Sequence, residues 1–114
     1  LKYYLNIAKQ LEDLGADILC IKDMAGLLRP GAARTLIKAL KEQTSLPIHL
    51  HCHDTSGNGV AMLLAAAEAG CEIIDGAVAS MSGLTSQPSL NAIIASLAQD
   101  PRKPRTNHRA LSCQ

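Results

Sequence analysis

The sequence predicts an α/β fold built on a parallel sheet. Two observations carry that prediction. Short β-prone runs begin near Ile18, Ile48 and Ile73, at intervals of 30 and 25 residues, and stretches of helical spacing lie between them. Such intervals suit βα units joined by short loops. The chain is also weakly self-similar. Leu14-Gly-Ala-Asp-Ile18 resembles Ala69-Gly-Cys-Glu-Ile73, each a helix end, a glycine and a strand start, and Met24-Ala-Gly-Leu27 resembles Met81-Ser-Gly-Leu84. A repeated βα unit fits either a (β/α)8 barrel or a doubly wound sheet.

The elements follow in order. From Tyr3 to Leu14, Leu5, Ala8 and Leu11 keep helical spacing, with Lys9 and Glu12 on other faces. Gly15 ends that helix, as a glycine just past a helix does. Asp17 to Ile21 is β-prone and apolar on both faces, which suits a strand covered on both sides. Pro30 opens a second helix from its first position, with Leu36, Ile37 and Leu40 on one side. Pro47 precedes a strand from Ile48 to Cys52. A third helix, Val60 to Ala69, is rich in Ala and Leu and stops at Gly70. A third strand runs from Glu72 to Val78, and after a Ser/Thr-rich loop Pro88 opens a fourth helix to about Ala98.

Composition sets the outer limits. A length of 114 residues allows one domain at most. Apolar residues make up 47%, enough for a packed core, and with neither Phe nor Trp that core must be aliphatic. Residues 1–100 hold seven basic and ten acidic side chains, so the periodic part has no basic patch for nucleic acid. The four basic residues of 101–114 fall in a Pro/Arg/Lys-rich stretch. It reads as a solvated connector over 100–114, leading to a missing C-terminal part. Position 1 is Leu rather than Met, so the natural start is expected upstream. The longest apolar run, Val60 to Ala67, falls far short of the ~20 residues of a membrane span. Cys20, Cys52, Cys71 and Cys113 stand singly without a CxxC pair and read as reduced, cytosolic-type thiols. Gly57-Asn-Gly59 lacks the third glycine of a dinucleotide fingerprint.

Two segments carry chemistry. In His49-Leu-His-Cys-His53-Asp54 the strand alternation turns His49, His51 and His53 one way and Ile48, Leu50 and Cys52 the other. Two imidazoles two residues apart can hold one metal ion, each at ~2.0–2.1 Å. They lie at the C-terminal end of the strand, where βα barrels place their reactive groups. The plainer alternative is a hydrogen-bonded polar layer inside a barrel, but three alternating histidines ending in His-Asp favour metal. His51 and His53 are the expected pair; His49, deeper in the sheet, is the expected non-ligand. Two histidines do not complete a site. In the second segment Lys22 closes an apolar strand on the face of Ile18 and Cys20. An unpaired buried ammonium is costly. It therefore either pairs with a carboxylate, the reading the residues alone favour, or is converted to an anionic carbamate that could bind a metal. The loops Asp54 to Gly59 and Ser80 to Pro88, rich in hydroxyl and amide groups, follow the second and third strands and suit a polar substrate. Capping of the next helix is the alternative role for Ser86.

At these residues the chain resembles a known family. Ile21-Lys-Asp-Met-Ala-Gly-Leu-Leu28, Leu50-His-Cys-His-Asp-Thr-Ser-Gly57 and Ser80-Met-Ser-Gly-Leu-Thr-Ser-Gln-Pro-Ser89 look like the carboxyltransferase domain of biotin-dependent pyruvate carboxylase, in order and at the expected spacing over residues 3–97. The oxaloacetate decarboxylase α subunit and transcarboxylase 5S subunit share the Lys-Asp-Met-Ala-Gly and His-x-His parts. The His-Asp-Thr-Ser-Gly and Thr-Ser-Gln-Pro-Ser forms favour pyruvate carboxylase over them. The wider alternatives are an aldolase-type lyase on the same barrel, which would not need Lys22 as a ligand, and an inactive structural fragment.

The resemblance implies a fold, a site and a reaction. Residues 1–99 become about three consecutive βα units of a (β/α)8 TIM barrel of the pyruvate carboxyltransferase and HMG-CoA lyase-like type. A divalent metal, zinc or manganese, is implied at its C-terminal mouth. Its ligands are a carboxylated Lys22, also catalytic, with His51 and His53. The fourth ligand, an Asp of an earlier strand, lies outside this chain, as do the Arg and Gln that hold pyruvate and the proton-moving Thr. No substrate-binding residue is carried over. The implied reaction moves a carboxyl group from carboxybiotin to pyruvate, giving oxaloacetate, with the metal as Lewis acid. Biotin on a carrier domain and ATP at a separate domain are both implied outside this chain. So are a homotetrameric full-length enzyme and a cytoplasmic setting, or the mitochondrial matrix in a eukaryote. Neither nucleic acid nor membrane is an expected partner.

Overall fold

A computed structural model describes residues 1–98; the connector expected over 100–114 lies outside them, as does Cys113. The elements are α1 (Lys2–Asp13), β1 (Leu19–Asp23), α2 (Pro30–Gln43), β2 (Ile48–Cys52), α3 (Gly59–Glu68), β3 (Ile73–Ile74), a 3-10 turn at Ala79–Met81, and α4 (Leu90–Ser96). The three strands are parallel, in the order β1-β2-β3. The expected α/β class and its βα alternation are therefore present.

One face of the sheet makes the core. Ile48, Leu50 and Cys52 of β2 are fully buried, covered by the Ala33, Ile37 and Leu40 stripe of α2 and by Met62, Leu63 and Ala66 of α3. Ile93 of α4 joins the same cluster. Pro30 stands at the start of α2, where its missing N–H costs nothing. Gly15 and Gly70, just past α1 and α3, are left-handed at φ 86° and 107°. The opposite face carries Cys20, Lys22, His49, His51 and His53, and among the described residues no helix lies over it. β1 is accordingly not covered on both sides as its apolar run suggested: Leu19 is buried, while Cys20 and Lys22 are exposed.

Two carboxylates tie the N-terminal end of the sheet. Glu12 at the end of α1 accepts from Ser45 N at 2.8 Å and Ser45 Oγ at 2.6 Å. Glu72 accepts from Ile48 N at 2.8 Å and pairs with Lys41 of α2. This end of a βα sheet serves stability, which leaves the C-terminal end for chemistry.

Several boundaries differ from the sequence reading, three of them with a clear physical cause. β1 starts at Leu19, two residues after Asp17, because its ladder begins with Leu19 N donating to Pro47 O at 3.0 Å. Pro47 has no N–H for a residue earlier in β1. β3 keeps only Ile73 and Ile74 of the expected Glu72 to Val78. Beyond them Ala77 leaves β2 and pairs with Ser89, donating to Pro88 O at 3.0 Å. That pairing also keeps Ser89 extended, so α4 starts at Leu90 and not at Pro88. Its cap is Ser89, which accepts from Ala92 N; the capping role weighed for Ser86 does not hold.

Candidate metal centre

Strand register assembles the site. Parallel pairing sets Lys22 beside His51 and Cys20 beside His49. β3 pairs Ile73 with His49 and Ile74 with Leu50, so Asp75 follows at the level of His51. Asp75 N donates to Leu50 O at 3.3 Å, which anchors it there. Residues from all three strands thus share the uncovered face, at its C-terminal end.

The histidine rings are oriented by their Nδ1 atoms. His51 Nδ1 lies 2.7 Å from Asp75 Oδ2, and His53 Nδ1 lies 2.5 Å from the Thr85 carbonyl. A carbonyl and a carboxylate oxygen only accept, so each ring donates from Nδ1, and in the neutral ring Nε2 then keeps a bare lone pair. The two Nε2 atoms then face each other at 3.4 Å, with the rings edge to face at 70°. Two lone pairs directed at one another repel, and a cation between them removes the repulsion. Nitrogens ~2.0–2.1 Å from a shared ion at a near-tetrahedral angle stand about 3.4 Å apart. The pair therefore fits a divalent metal such as zinc.

The other candidates sit differently. His49 Nε2 is 2.9 Å from Asp75 Oδ1. The angle falls short of a hydrogen bond, and that buried nitrogen has no other partner. Lys22 is exposed, and among the described residues it makes no ion pair. The open face gives its amine access to water, so the burial that argued for an ion pair is absent. Among the described residues no cluster of three or more His, Cys, Asp and Glu is placed to hold a metal. The His51–His53 pair needs further donors, of which Lys22 is the neighbour in register.

Asp75 escaped the sequence reading. The available signal was an acidic residue at the inward phase of an apolar strand. Burial pushes its carboxyl up, but the neighbouring His51 and His49 outweigh this and hold it below the usual carboxylate range.

The loops lock the end of β2 in place. The Asp23 carboxylate accepts from Leu27 N at 3.1 Å and Leu28 N at 2.8 Å, while its carbonyl accepts from His53 N at 3.0 Å. Gly26 is left-handed at φ 63°, and a Cβ there would lie 2.5 Å from the His53 carbonyl oxygen. The Lys-Asp-Met-Ala-Gly segment thus closes against the His53 backbone, a contact only glycine permits. Asp54 points away from the histidine pair: its Oδ1 accepts from Gly59 N at 2.8 Å, and its N–H donates to Ser86 O at 2.8 Å. Ser86 and Thr85 bring the third loop to the same strand end.

Among the described residues the cysteines take no part. Cys52 lies on the core face, where burial, then the charges of Asp23, Asp54 and Asp75, push its thiol up to about 11. Burial likewise raises Cys71 to about 11. Cys20, Cys52 and Cys71 are all free thiols.

The chain is similar to known proteins over most of its length. The HMGL-like family matches residues 1–113. Pyruvate carboxylase of Bacillus subtilis (strain 168) is 56% identical over 107 residues, which cover 94% of this chain and 9% of that protein. The mitochondrial pyruvate carboxylase of Rattus norvegicus is 54% identical over 96 residues, covering 83% of this chain and 8% of its own length. The chain thus spans about a tenth of these relatives or less. The solved carboxyl transferase domain of Rhizobium etli pyruvate carboxylase with pyruvate superposes with a TM-score of 0.95 at 50% identity. That match covers 97% of this chain and 19% of the solved one. The same domain with pyruvate and biocytin matches with a TM-score of 0.96.

Proposed function

The chain belongs to the HMGL-like family, and from that premise we propose that it forms part of the carboxyltransferase domain of a biotin-dependent pyruvate carboxylase and carries most of its metal ligands. The observation that carries this reading is the facing pair of Nε2 atoms on His51 and His53, 3.4 Å apart, with both Nδ1 atoms engaged. The sequence likeness to pyruvate carboxylases supports the choice of reaction.

In this reading His51 and His53 hold a divalent ion, zinc or manganese. When bound, the ion acts as a Lewis acid that stabilises negative charge on the pyruvate oxygen as the carboxyl group is transferred. Lys22 supplies a third ligand after carboxylation. Its neutral amine attacks CO2, a nitrogen–carbon bond forms, and a proton leaves to solvent, which turns a would-be cation into an anionic oxygen donor. Asp23 and Gly26 hold the loop after β1 against the His53 backbone, so Lys22 and the histidine pair keep one geometry. The hydroxyl-rich loop from Ser80 to Ser89 walls the pocket and carries the Thr85 carbonyl that orients His53. Pyruvate and carboxybiotin are the substrates, with the biotin carrier and the ATP-using domain in other parts of a homotetrameric polypeptide. The setting is the cytoplasm, or the mitochondrial matrix in a eukaryote.

Lys22→Arg tests the reaction directly. Guanidinium cannot form this carbamate and stays cationic beside the metal. In the full-length enzyme the variant should lose carboxyl transfer to pyruvate while ATP-dependent carboxylation of biotin continues. Carboxyl transfer at the parent rate would contradict the role given to Lys22.

A further inference from the structure

We infer that Asp75 is a positioning residue that fixes the tautomer and the direction of His51. The inference rests on the metal-binding reading of the His51–His53 pair and adds a residue to it. Three observations carry it. The Asp75 carboxylate accepts from His51 Nδ1 at 2.7 Å. Its second oxygen stands 2.9 Å from His49 Nε2, so the carboxylate sits between two rings. Its backbone is pinned to β2 through Leu50 O.

The two ligand rings are held by different kinds of acceptor. His53 donates to a main-chain carbonyl, which no substitution at Thr85 removes. His51 depends on a side chain. An acceptor-only partner forces the proton onto Nδ1 and leaves Nε2 bare, as metal ligation needs. A ligating ring that loses such a partner can turn, or move its proton onto Nε2. His49 thereby gains a role without being a ligand: it is the second wall of the slot that holds Asp75.

Asp75→Asn keeps the size of the side chain but can donate as well as accept, so it no longer dictates the tautomer. Asp75→Glu remains acceptor-only. The test measures the zinc dissociation constant of the full-length enzyme by chelator competition, together with the thermal midpoint of the metal-free protein. His51→Ala serves as reference. Asp75→Asn should weaken zinc binding roughly 10–100-fold with an unchanged metal-free midpoint, and Asp75→Glu should recover part of the affinity. Unchanged zinc affinity in Asp75→Asn, beside clear loss in His51→Ala, would overturn the inference and leave the metal site standing. Equal losses in the Asn and Glu variants with a matching fall in metal-free stability, or failure of both to fold, would also overturn it by making Asp75 purely structural. Full zinc retention by His51→Ala would instead overturn the metal reading itself.

Discussion

His51 and His53 share one device: each gives its Nδ1 proton to an oxygen that can only accept, and each turns its remaining nitrogen toward the other. Gly26 shows how tightly the surroundings are built, because any side chain there would strike the His53 carbonyl from a left-handed backbone. Gly26→Ala should therefore destabilise the full-length enzyme by more than ~1 kcal/mol, and it should lower bound metal as well, since the strand end carrying His53 must shift. Thermal unfolding and metal content check the two effects separately; an unchanged midpoint with full metal would refute the close approach. Strand alternation made the inward phase of the three histidines legible in the sequence. It could not reveal Asp75, whose place depends on how β3 registers against β2, nor the Asp23 carbonyl, whose bond to His53 N exists only once the two loops meet.

The helices and their order were legible at the level of elements, because Leu36, Ile37 and Leu40 state the period of α2 locally and α3 is an Ala- and Leu-rich run closed by Gly70. Strand ends were less so, since the partner strand sets them: Pro47 ends the β1 ladder, and the Ala77–Ser89 pairing cuts β3 short and delays α4. Leu50, at the centre of the middle strand, touches the helical layer and is wholly buried. Leu50→Ala should cost roughly 2–5 kcal/mol, read from denaturant unfolding of the full-length polypeptide. Glu12 gives a pH signature. Hydrogen bonds from the Ser45 side chain and backbone lower its carboxyl from 4.5 to about 2. A depressed native value means that the unfolded chain binds the proton more readily. The contribution is thus complete above about 4.5 and fades as pH falls toward 2. Glu12→Gln should flatten the loss of stability across that window, and a parallel acid profile for variant and parent would count against the Ser45 tether.

Taken whole, the described part is a three-stranded sheet with two open edges and one uncovered face. A groove of about 220 Å³ runs along β1, lined by Tyr4, Ile7, Leu11, Leu19, Ile21 and Leu36 among others. Leu14 and Tyr3 are large apolar side chains left 83% and 71% exposed. Three βα units do not close a (β/α)8 barrel, and unpaired edges invite association. Residues 1–114 by themselves should show no carboxyl transfer to pyruvate and should self-associate on size-exclusion chromatography; a monomer with turnover would contradict this. The barrel class was legible only through motif resemblance, because local patterns could not separate a barrel from a doubly wound sheet. In the proposed reading His51 and His53 hold a divalent metal and His49 does not. Elemental analysis of the purified full-length enzyme decides this. Bound metal should fall to near zero in His51→Ala and in His53→Ala, while His49→Ala keeps the larger share; equal retention in all three variants would contradict the account.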